Sequence, residues 1–254
     1  MGKIIAIVNQ KGGVGKTTTA VNLTAALHAR GAKVLLCDFD PQANATSGFG
    51  VEKKRVVDSI YDVLMNDVPV RKAVLHTDFG DLLPSAQALA GAGVELIGAE
   101  HREFQLKSAL EPLRESYDYL FIDCPPSLEL LTLNGICAAD SILVPVQCEY
   151  FALEGLSDLM ATMRAVKRRL CPQITIFGVL LTMFDGRTNF SQQVAEEVRR
   201  HFPGKVFANA IPRNVRLAEA PSHGLPATVY DRSSRGSQAY QAVAEEIMRK
   251  DGKL

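Results

Sequence analysis

The stretch Lys11-Gly12-Gly13-Val14-Gly15-Lys16-Thr17-Thr18 decides the fold class of this 254-residue chain. An apolar, strand-like segment precedes it at 3–8, and a helical pattern follows it from about 16 to 30. Glycines let backbone N–H groups turn towards a bound phosphate, and the N-terminus of a helix adds positive potential at the same place. The succession of strand, glycine-rich turn and helix therefore predicts a phosphate-binding loop in an α/β protein.

Residue 10 departs from the common phosphate-loop pattern. That pattern, G-x-x-x-x-G-K-S/T, has glycine where this chain has Gln10, and a second lysine, Lys11, follows. Lys16 is expected to reach the β- and γ-phosphates of a nucleotide, and the Thr17 hydroxyl is expected to ligate Mg²⁺. The residues predicted to surround the phosphates are Lys11, Gly12, Gly13, Val14, Gly15, Lys16, Thr17 and Thr18.

Apolar, β-branched segments alternate with helical patterns along the rest of the chain. Strands are predicted at 3–8, 33–39, 82–84, 119–123, 141–146, 174–182 and 206–211. The clearest helices are predicted at 16–30, 103–116, 153–170, 190–201 and 236–250. This alternation is typical of a mostly parallel sheet with helices on both faces. Because no repeat or low-complexity linker interrupts it, we expect a single domain over 1–254.

Acidic residues follow two of the predicted strands, in C-D-F-D-P-Q at 37–42 and F-I-D-C-P-P at 121–126. Carboxylates at the carboxyl ends of parallel strands face the crevice where such sheets bind ligands. Asp123 is the candidate for holding Mg²⁺ through water, and Asp38 is a second candidate beside it, or alternatively a helix-capping carboxylate. Asp40 returns to the same side and is the best candidate to orient the attacking water, although the sequence leaves Asp38 open for that role.

The charge composition limits the kinds of partner that this chain can bind. The 28 basic and 28 acidic residues cancel, which argues against a uniformly basic nucleic-acid binder. Their distribution is uneven, because residues 1–159 carry 13 Lys/Arg against 20 Asp/Glu, and residues 160–254 carry 15 against 8. The second part could attract a polyanion, or its charges could simply be solvated helix faces.

The five cysteines are scattered and form no C-x-x-C pair, so they are predicted to be reduced core residues of a cytoplasmic protein. No apolar run approaches the length of about 18–20 residues that a membrane span needs. The N-terminal segment lacks the pattern of a secretory signal. These features together predict a globular protein of the cytoplasm.

The loop variant K-G-G-V-G-K-T-T resembles the deviant Walker A family of P-loop ATPases. Within that family, the chain is most similar to the short chromosome-partitioning ATPases of the ParA/Soj type, along nearly its whole length. The matching segments are 38–44 (D-F-D-P-Q-A-N), 123–127 (D-C-P-P-S), 144–150 (V-P-V-Q-C-E-Y), 182–189 (T-M-F-D-G-R-T-N) and 211–224 (I-P-R-N-V-R-L-A-E-A-P-S-H-G).

The resemblance implies an ATPase with ATP and Mg²⁺ as cofactors. The protein would act as a switch that forms a homodimer when it binds ATP. The ATP-bound dimer would bind double-stranded DNA without sequence preference and be associated with the nucleoid. A ParB-type centromere-binding protein would then stimulate hydrolysis and release the dimer. Basal hydrolysis is expected to be slow, because such a switch must persist until its partner arrives.

The resemblance also assigns residues. Lys11 would cross the dimer interface to the partner's phosphates. Pro212 and Asn214 match the loop that cradles adenine, and Arg187 and Arg216 match positions that contact DNA phosphates. For both arginines, surface solvation or pairing with a carboxylate is the alternative interpretation.

Three rival interpretations share the loop. A septum-site ATPase of the MinD type would end in a basic amphipathic membrane anchor, but the apolar positions in 240–248 have core-packing spacing, and Glu245 and Glu246 would be repelled by anionic lipid. An iron–sulfur carrier would need paired cysteines to bridge a cluster, and this chain has no C-x-x-C pair, although a symmetric dimer could still pair single cysteines. An ATP-dependent small-molecule ligase does not account for the segment 211–224. We therefore expect no membrane among the partners.

Overall fold

A single seven-stranded sheet forms the centre of the computed structural model, which describes residues 1–149 and 152–253 and omits the side chains of 152–154. The strands are β1 (Lys3–Ile7), β2 (Val34–Asp38), β3 (Leu75–Thr77), β4 (Gly80–Leu83), β5 (Tyr119–Asp123), β6 (Ser141–Gln147) and β7 (Thr175–Thr182). Their order across the sheet is β3-β4-β2-β5-β1-β6-β7. All neighbouring pairs are parallel except β3 with β4, so the predicted fold class is confirmed.

Twelve α-helices connect and cover these strands in the described part of the chain. They are α1 (Lys16–His28), α2 (Asn44–Gly48), α3 (Ile60–Met65), α4 (Val70–Ala73), α5 (Leu89–Glu95), α6 (Gln105–Leu110), α7 (Leu130–Ala138), α8 (Ala152–Arg169), α9 (Asn189–His201), α10 (Val215–Glu219), α11 (Ala227–Tyr230) and α12 (Arg235–Lys250). Short 3₁₀ helices lie at Lys53–Arg55, Leu96–Gly98, Glu111–Ser116 and Ala220–His223. The last residue of the 144–150 match, Tyr150, lies outside the described residues.

The sheet is buried on both faces, as its apolar strands predict. In β1, Ile4 and Ala6 belong to one hydrophobic cluster, and Ile5 and Ile7 belong to the other. The first cluster includes residues of α3 to α9, and the second includes residues of α1, α2 and α12. All five cysteines are buried and unpaired, as predicted.

The last helix, α12, packs its apolar face into the core. Tyr240, Val243 and Ile247 are buried in the cluster that also contains α1, and the Tyr240 hydroxyl lies 3.0 Å from Thr19 Oγ1. The apolar positions of α12 thus belong to the core and not to a membrane surface. None of the described helices has the length and apolar character required to cross a bilayer.

Two predicted elements were wrong. Segment 206–211 is not a strand but runs beside β7 with isolated contacts, in which Phe207 N–H donates to Val179 O (3.0 Å) and Ile211 N–H donates to Leu181 O (2.8 Å). The helix predicted at 103–116 is divided into α6 and a 3₁₀ helix, because Pro112 has no N–H to donate. The short antiparallel strand β3 was not predicted.

The strand register brings the acidic motifs together. Asp38 and Asp123 are the last residues of β2 and β5 and lie directly opposite each other. Asp123 also lies opposite Ile7, the last residue of β1, after which the glycine-rich loop begins. Because these three strands are parallel and adjacent, loop and carboxylates share one edge of the sheet.

Candidate nucleotide-binding site

The glycine-rich loop ends in a helix whose first N–H groups are open to a ligand. Gly15 is the residue before α1, and no side chain caps the helix there. Gly13 (φ 74°) and Gly15 (φ 89°) adopt left-handed conformations that other residues reach only with strain. Gly12 and Gly13 are exposed. A phosphate placed above the loop would meet both the exposed backbone and the positive end of α1.

Two polar residues that the sequence analysis did not single out hold the loop in place. Thr182, at the end of β7, donates from its hydroxyl to Val14 O (2.8 Å). Asn9 donates from Nδ2 to Pro145 O (2.8 Å) and accepts the Lys11 N–H (3.0 Å). The one feature of the sequence that could have indicated the role of Thr182 is its position as a polar residue at the end of an apolar strand. Both residues tie the loop to its neighbouring strands β6 and β7.

Lys16 is buried and points back across the loop. Its side chain donates from Nζ to the Lys11 backbone carbonyl (3.1 Å), and the residue is only 6% exposed. Burial lowers the pKa of Lys16, while the negative charge of Asp123 is the main opposing influence. The ammonium is therefore a desolvated cation beside the acidic edge, which strengthens its attraction to a phosphate.

The two residues that distinguish this loop from the common pattern contact the region of α8. Gln10 donates from Nε2 to Asp158 Oδ2 (3.1 Å). Lys11 forms an ion pair with Glu149, and both side chains are about one third exposed. The variant positions therefore tether the loop to Asp158 of α8 and to Glu149, and a glycine at position 10 would lack the first of these contacts.

Asp123 has the properties of a carboxylate that awaits a cation. It is fully buried, and neither carboxylate oxygen meets a hydrogen-bond partner of acceptable geometry among the described residues. Burial and the charge of Asp38 raise the pKa of Asp123 well above its usual range, partly offset by the Thr17 hydroxyl and Lys16. Because an unpaired buried carboxylate is costly, Asp123 and the Thr17 hydroxyl fit a hard cation such as Mg²⁺.

Asp38 already has partners. Its Oδ2 accepts from both the N–H and the hydroxyl of Thr46 in α2 (2.7 Å each), and its Oδ1 accepts the Asp40 N–H (3.3 Å). Burial nevertheless raises the pKa of Asp38 to about 6. Thr46 Oγ1 in turn accepts the Ser85 N–H (3.0 Å). Asp38 therefore organises the backbone behind the site, close to the capping role that the sequence left open.

Asp40 has a free side to its carboxylate. Its Oδ1 accepts the Gln42 N–H (2.9 Å), and its backbone carbonyl accepts the Ser85 hydroxyl (2.7 Å). Its Oδ2 accepts no hydrogen bond from the described residues. Asp40 is 8% exposed, whereas Asp38 is fully buried. Of the two aspartates, Asp40 is therefore better suited to bind a water molecule.

A cavity of about 620 Å³ lies beyond the end of β7, next along the chain from Thr182. Its lining residues are Phe184, Asp185, Gly186, Arg187, Ala210, Pro212, Arg213, Arg235, Gln238 and Ala239. Pro212 is therefore exposed to this cavity. Asn214 is not among the described lining residues, and its Oδ1 caps α10 by accepting the Arg216 N–H (3.1 Å).

Both arginines singled out from the sequence have carboxylate partners. Arg187 binds Asp185 through Nε (2.9 Å) and a terminal nitrogen (2.8 Å), which lowers the pKa of Asp185 to about 2. Arg216 contacts Glu219 (2.7 Å) and Asp231 (3.3 Å). The Arg187 side chain is 90% exposed, and that of Arg216 is 46% exposed. Such surface pairs contribute little to stability.

A parallel sheet with a glycine-rich loop, a buried lysine and an unpaired aspartate at one edge defines a P-loop nucleotide-binding protein. The model of the AAA domain family matches residues 2–176. The sporulation initiation inhibitor protein Soj of Bacillus subtilis is 55% identical, with 97% of this chain and 98% of that protein covered. The chromosome partitioning protein ParA of Myxococcus xanthus is 51% identical, with 99% and 89% covered. The chain belongs to the ParA/Soj family of chromosome-partitioning ATPases.

A solved structure shares the fold. Cobyrinic acid a,c-diamide synthase from Mycobacterium smegmatis, crystallised with ADP and magnesium, superposes with a TM-score of 0.86 at 37% identity, with 99% of this chain and 96% of that chain covered. Its name belongs to the ligase class that the sequence analysis weighed as a rival. The identity to it is lower than the identity to the two partitioning proteins.

Proposed function

We propose that this chain is an ATP-dependent dimerisation switch that moves chromosomes or plasmids. The observation that carries the proposal is the buried, unpaired Asp123 beside Lys16 and Thr17. This arrangement has the charges needed for a nucleotide with its magnesium ion. The second lysine, Lys11, is an additional cation that a site formed by one subunit alone would not need. The similarity to Soj and ParA supports the same function.

ATP and Mg²⁺ are the proposed cofactors. The backbone of 12–18 and the Lys16 ammonium would bind the phosphates, while Thr17 and Asp123 would hold the ion, with Asp38 supporting them from behind. Bound Mg²⁺ supplies charge neutralisation on the β- and γ-phosphates. Pro212 would contact adenine in the cavity beyond β7, and Asn214 would shape that loop through its cap on α10.

Asp40 is the residue proposed to orient the attacking water. Phosphoryl transfer requires mainly that the water, phosphate and cations be positioned correctly. The unbound Oδ2 of Asp40 could accept a hydrogen bond from water, whereas both oxygens of Asp38 are engaged. Basal hydrolysis is proposed to be slow, since one carboxylate alone positions the water until a partner protein arrives.

Dimerisation would complete the site. Lys11 now pairs with Glu149, and because both side chains are partly exposed, this ion pair can be exchanged at small cost. The γ-phosphate of a second subunit is the competing anion that we propose for Lys11. Two subunits would then enclose two nucleotides, each contacted by lysines from both chains.

The dimer is proposed to bind double-stranded DNA through Arg187 and Arg216, without sequence preference. Both residues lie in the part of the chain with 15 basic against 8 acidic residues. Charge-driven binding should weaken steeply as salt rises. A ParB-type centromere-binding protein would stimulate hydrolysis and release the dimer from the nucleoid.

Gel shifts with a duplex of arbitrary sequence test this function directly. We expect a shift that requires ATP and Mg²⁺, disappears with ADP and is independent of sequence. If the chain binds nucleotide but does not bind DNA under any of these conditions, the proposal is contradicted. Co-sedimentation with anionic vesicles instead would favour the septum-site alternative, and ATP-dependent amidation of a cobyrinic acid would favour the synthase alternative.

A further inference from the structure

A buried threonine, Thr46, lies behind the acidic edge of the sheet. It belongs to α2, eight positions after Asp38, and none of its surface is exposed. Because it has no access to solvent, Thr46 is not placed to contact the nucleotide or the attacking water of the proposed reaction. Any effect of this residue on hydrolysis must therefore pass through the groups that it holds in place.

The hydroxyl of Thr46 connects two residues from different parts of the chain. Its Oγ1 donates to Asp38 Oδ2 (2.7 Å) and accepts the Ser85 N–H (3.0 Å). The backbone N–H of Thr46 donates to the same oxygen of Asp38 (2.7 Å). A single buried hydroxyl thus joins the carboxylate at the end of β2 to the backbone that follows β4.

Both of these partners bind the backbone of Asp40. Asp38 Oδ1 accepts the Asp40 N–H (3.3 Å), and the Ser85 hydroxyl donates to the Asp40 carbonyl (2.7 Å). Ser85, like Thr46, has no exposed surface. The residue proposed to orient the water is therefore held at its N–H and at its carbonyl by two groups that are each bonded to Thr46.

The sheet brings these groups together. Strand β2 lies beside β4 and parallel to it, with Cys37 opposite Leu83, so the segments after the two strands begin at the same edge. Asp40 lies in the first of these segments and Ser85 in the second. Helix α2 then returns Thr46 to a position between them.

The turn after Asp40 requires such support. Ala43, the residue before α2, has a φ of 50°, and this left-handed backbone is unfavourable for alanine. Its N–H donates to the Asp40 carbonyl (2.8 Å), the oxygen that also accepts the Ser85 hydroxyl. Strained backbone persists only where the surrounding contacts determine it, and it is concentrated at functional sites. The hydrogen bonds of Thr46 and Ser85 are contacts of this kind.

We propose that Thr46 is a positioning residue for ATP hydrolysis, because it fixes the backbone from which the Asp40 carboxylate extends towards the attacking water. A misplacement of about 1 Å at a reacting group lowers a rate by about 10²-fold. Loss of the Thr46 hydroxyl should therefore slow hydrolysis, whereas ATP binding, which depends on the phosphate loop, should change little. This inference rests on the proposed role of Asp40.

Thr46→Val removes the hydroxyl and keeps the shape of the side chain. Hydrolysis is measured in single turnovers of the full chain with ATP and Mg²⁺, and the affinity for ATP is measured by equilibrium dialysis. We expect the rate to fall at least about tenfold while the dissociation constant of ATP changes less than about threefold. Thr46→Ser, which keeps the hydroxyl, should hydrolyse ATP within about threefold of the unaltered rate.

Two further variants exclude a general loss of structure. Thr24→Val removes an equally buried hydroxyl, one without a hydrogen-bond partner among the described residues, and is the matched control that should hydrolyse ATP normally. Ser85→Ala removes the bond to the Asp40 carbonyl and should slow hydrolysis at least about threefold. If Thr46→Val is too unstable to assay, Ser85→Ala decides, and a normal rate in that protein overturns the proposal.

Asp40→Ala separates this inference from the function on which it rests. In that background Thr46→Val should have no further effect on the rate, since Thr46 acts through the Asp40 carboxylate. An equal effect of Thr46→Val with and without that carboxylate would overturn the proposal. If Asp40→Ala is slow but Thr46→Val is normal, only the inference about Thr46 is wrong. If Asp40→Ala itself hydrolyses ATP normally, the proposed role of Asp40 is wrong, and this inference fails with it.

Discussion

The Lys16 ammonium and the Arg187 guanidinium represent opposite ways of holding a charge. Lys16 is 6% exposed and lies beside Asp123, whose oxygens find no hydrogen-bond partner among the described residues. The Arg187 side chain is 90% exposed and is bound by Asp185. The loop region therefore carries buried charges that a bound ligand of opposite charge would neutralise. The arginine surface carries solvated charges, and a ligand would have to displace the carboxylates that now pair with them.

This difference separates the expected effects of substitution in the two regions. Changes at the buried edge should alter both stability and nucleotide chemistry, because burial makes each charge interact strongly. Changes at the exposed arginines should leave stability almost unchanged and affect only binding to a polyanion, because exposed charges are well screened.

The largest effect is expected for Lys16→Ala. Removing a cation that neutralises the transferred phosphoryl group should lower hydrolysis by at least about 10³-fold and also prevent ATP-dependent dimerisation. Phosphate release and light scattering measure the two quantities. Lys33→Ala, an exposed lysine at the opposite edge, is the control. Hydrolysis within about tenfold of normal would remove Lys16 from the site.

Asp123→Asn should separate stability from activity. We expect hydrolysis to fall about 10²-fold, since a carboxylate that holds the cation is lost. Without nucleotide, the melting temperature should rise, because the buried charge opposed by Asp38 is removed. Scanning calorimetry with and without ATP and Mg²⁺ measures both. If the variant melts lower than the unaltered chain without nucleotide, Asp123 is not an unpaired buried charge.

Arg187→Glu and Arg216→Glu test the exposed surface. Each should weaken DNA binding by at least about tenfold and lower the salt dependence, while ATP-dependent dimerisation persists. Thermal stability should change by less than about 0.5 kcal/mol. Fluorescence anisotropy over a salt series measures the affinity, and Arg55→Ala is the control. Undiminished DNA binding in both variants would move the contact surface elsewhere.

The smallest effect concerns pH. Burial raises the pKa of Asp38 from an ordinary 3.8 to about 6, so the folded protein binds this proton more tightly than the unfolded chain. The contribution of Asp38 to the stability of the nucleotide-free protein should therefore rise as pH falls from about 7 to 5, by about 1 kcal/mol. Urea unfolding at several pH values measures the trend. Asp38→Asn should reduce the slope but not abolish it, because burial also raises the pKa of Asp123, and an unchanged slope in that variant would assign the proton to another group.

Prediction from sequence succeeded where the signal is local. The loop, the strand at 119–123 and the carboxylates after two strands follow from residue order and the rule that parallel strands bind ligands at their carboxyl ends. Segment 206–211 misled the strand prediction because Phe207 and Ile211 are apolar for a different reason. They pack in the cluster with α12 and not within a sheet ladder.

The supporting contacts could not be predicted in the same way. Asn9 reaches Pro145, Thr182 reaches Val14, and Lys11 reaches Glu149, each across more than 130 positions of sequence. Such pairings depend on how β1, β6 and β7 lie in the sheet, which the periodicity of a single segment does not encode. The pairing of Arg187 with Asp185 is local, but no pattern distinguishes it from a free arginine.

Lys11 provides the most direct test of the central claim that the loop is a dimerisation switch. The measurement is sedimentation equilibrium with ATP and Mg²⁺ in an Asp40→Ala background, which should slow hydrolysis, with bound nucleotide quantified in parallel. We predict that Asp40→Ala forms dimers, and that Asp40→Ala with Lys11→Ala binds ATP but remains monomeric. Dimers of equal stability in both proteins would contradict the account.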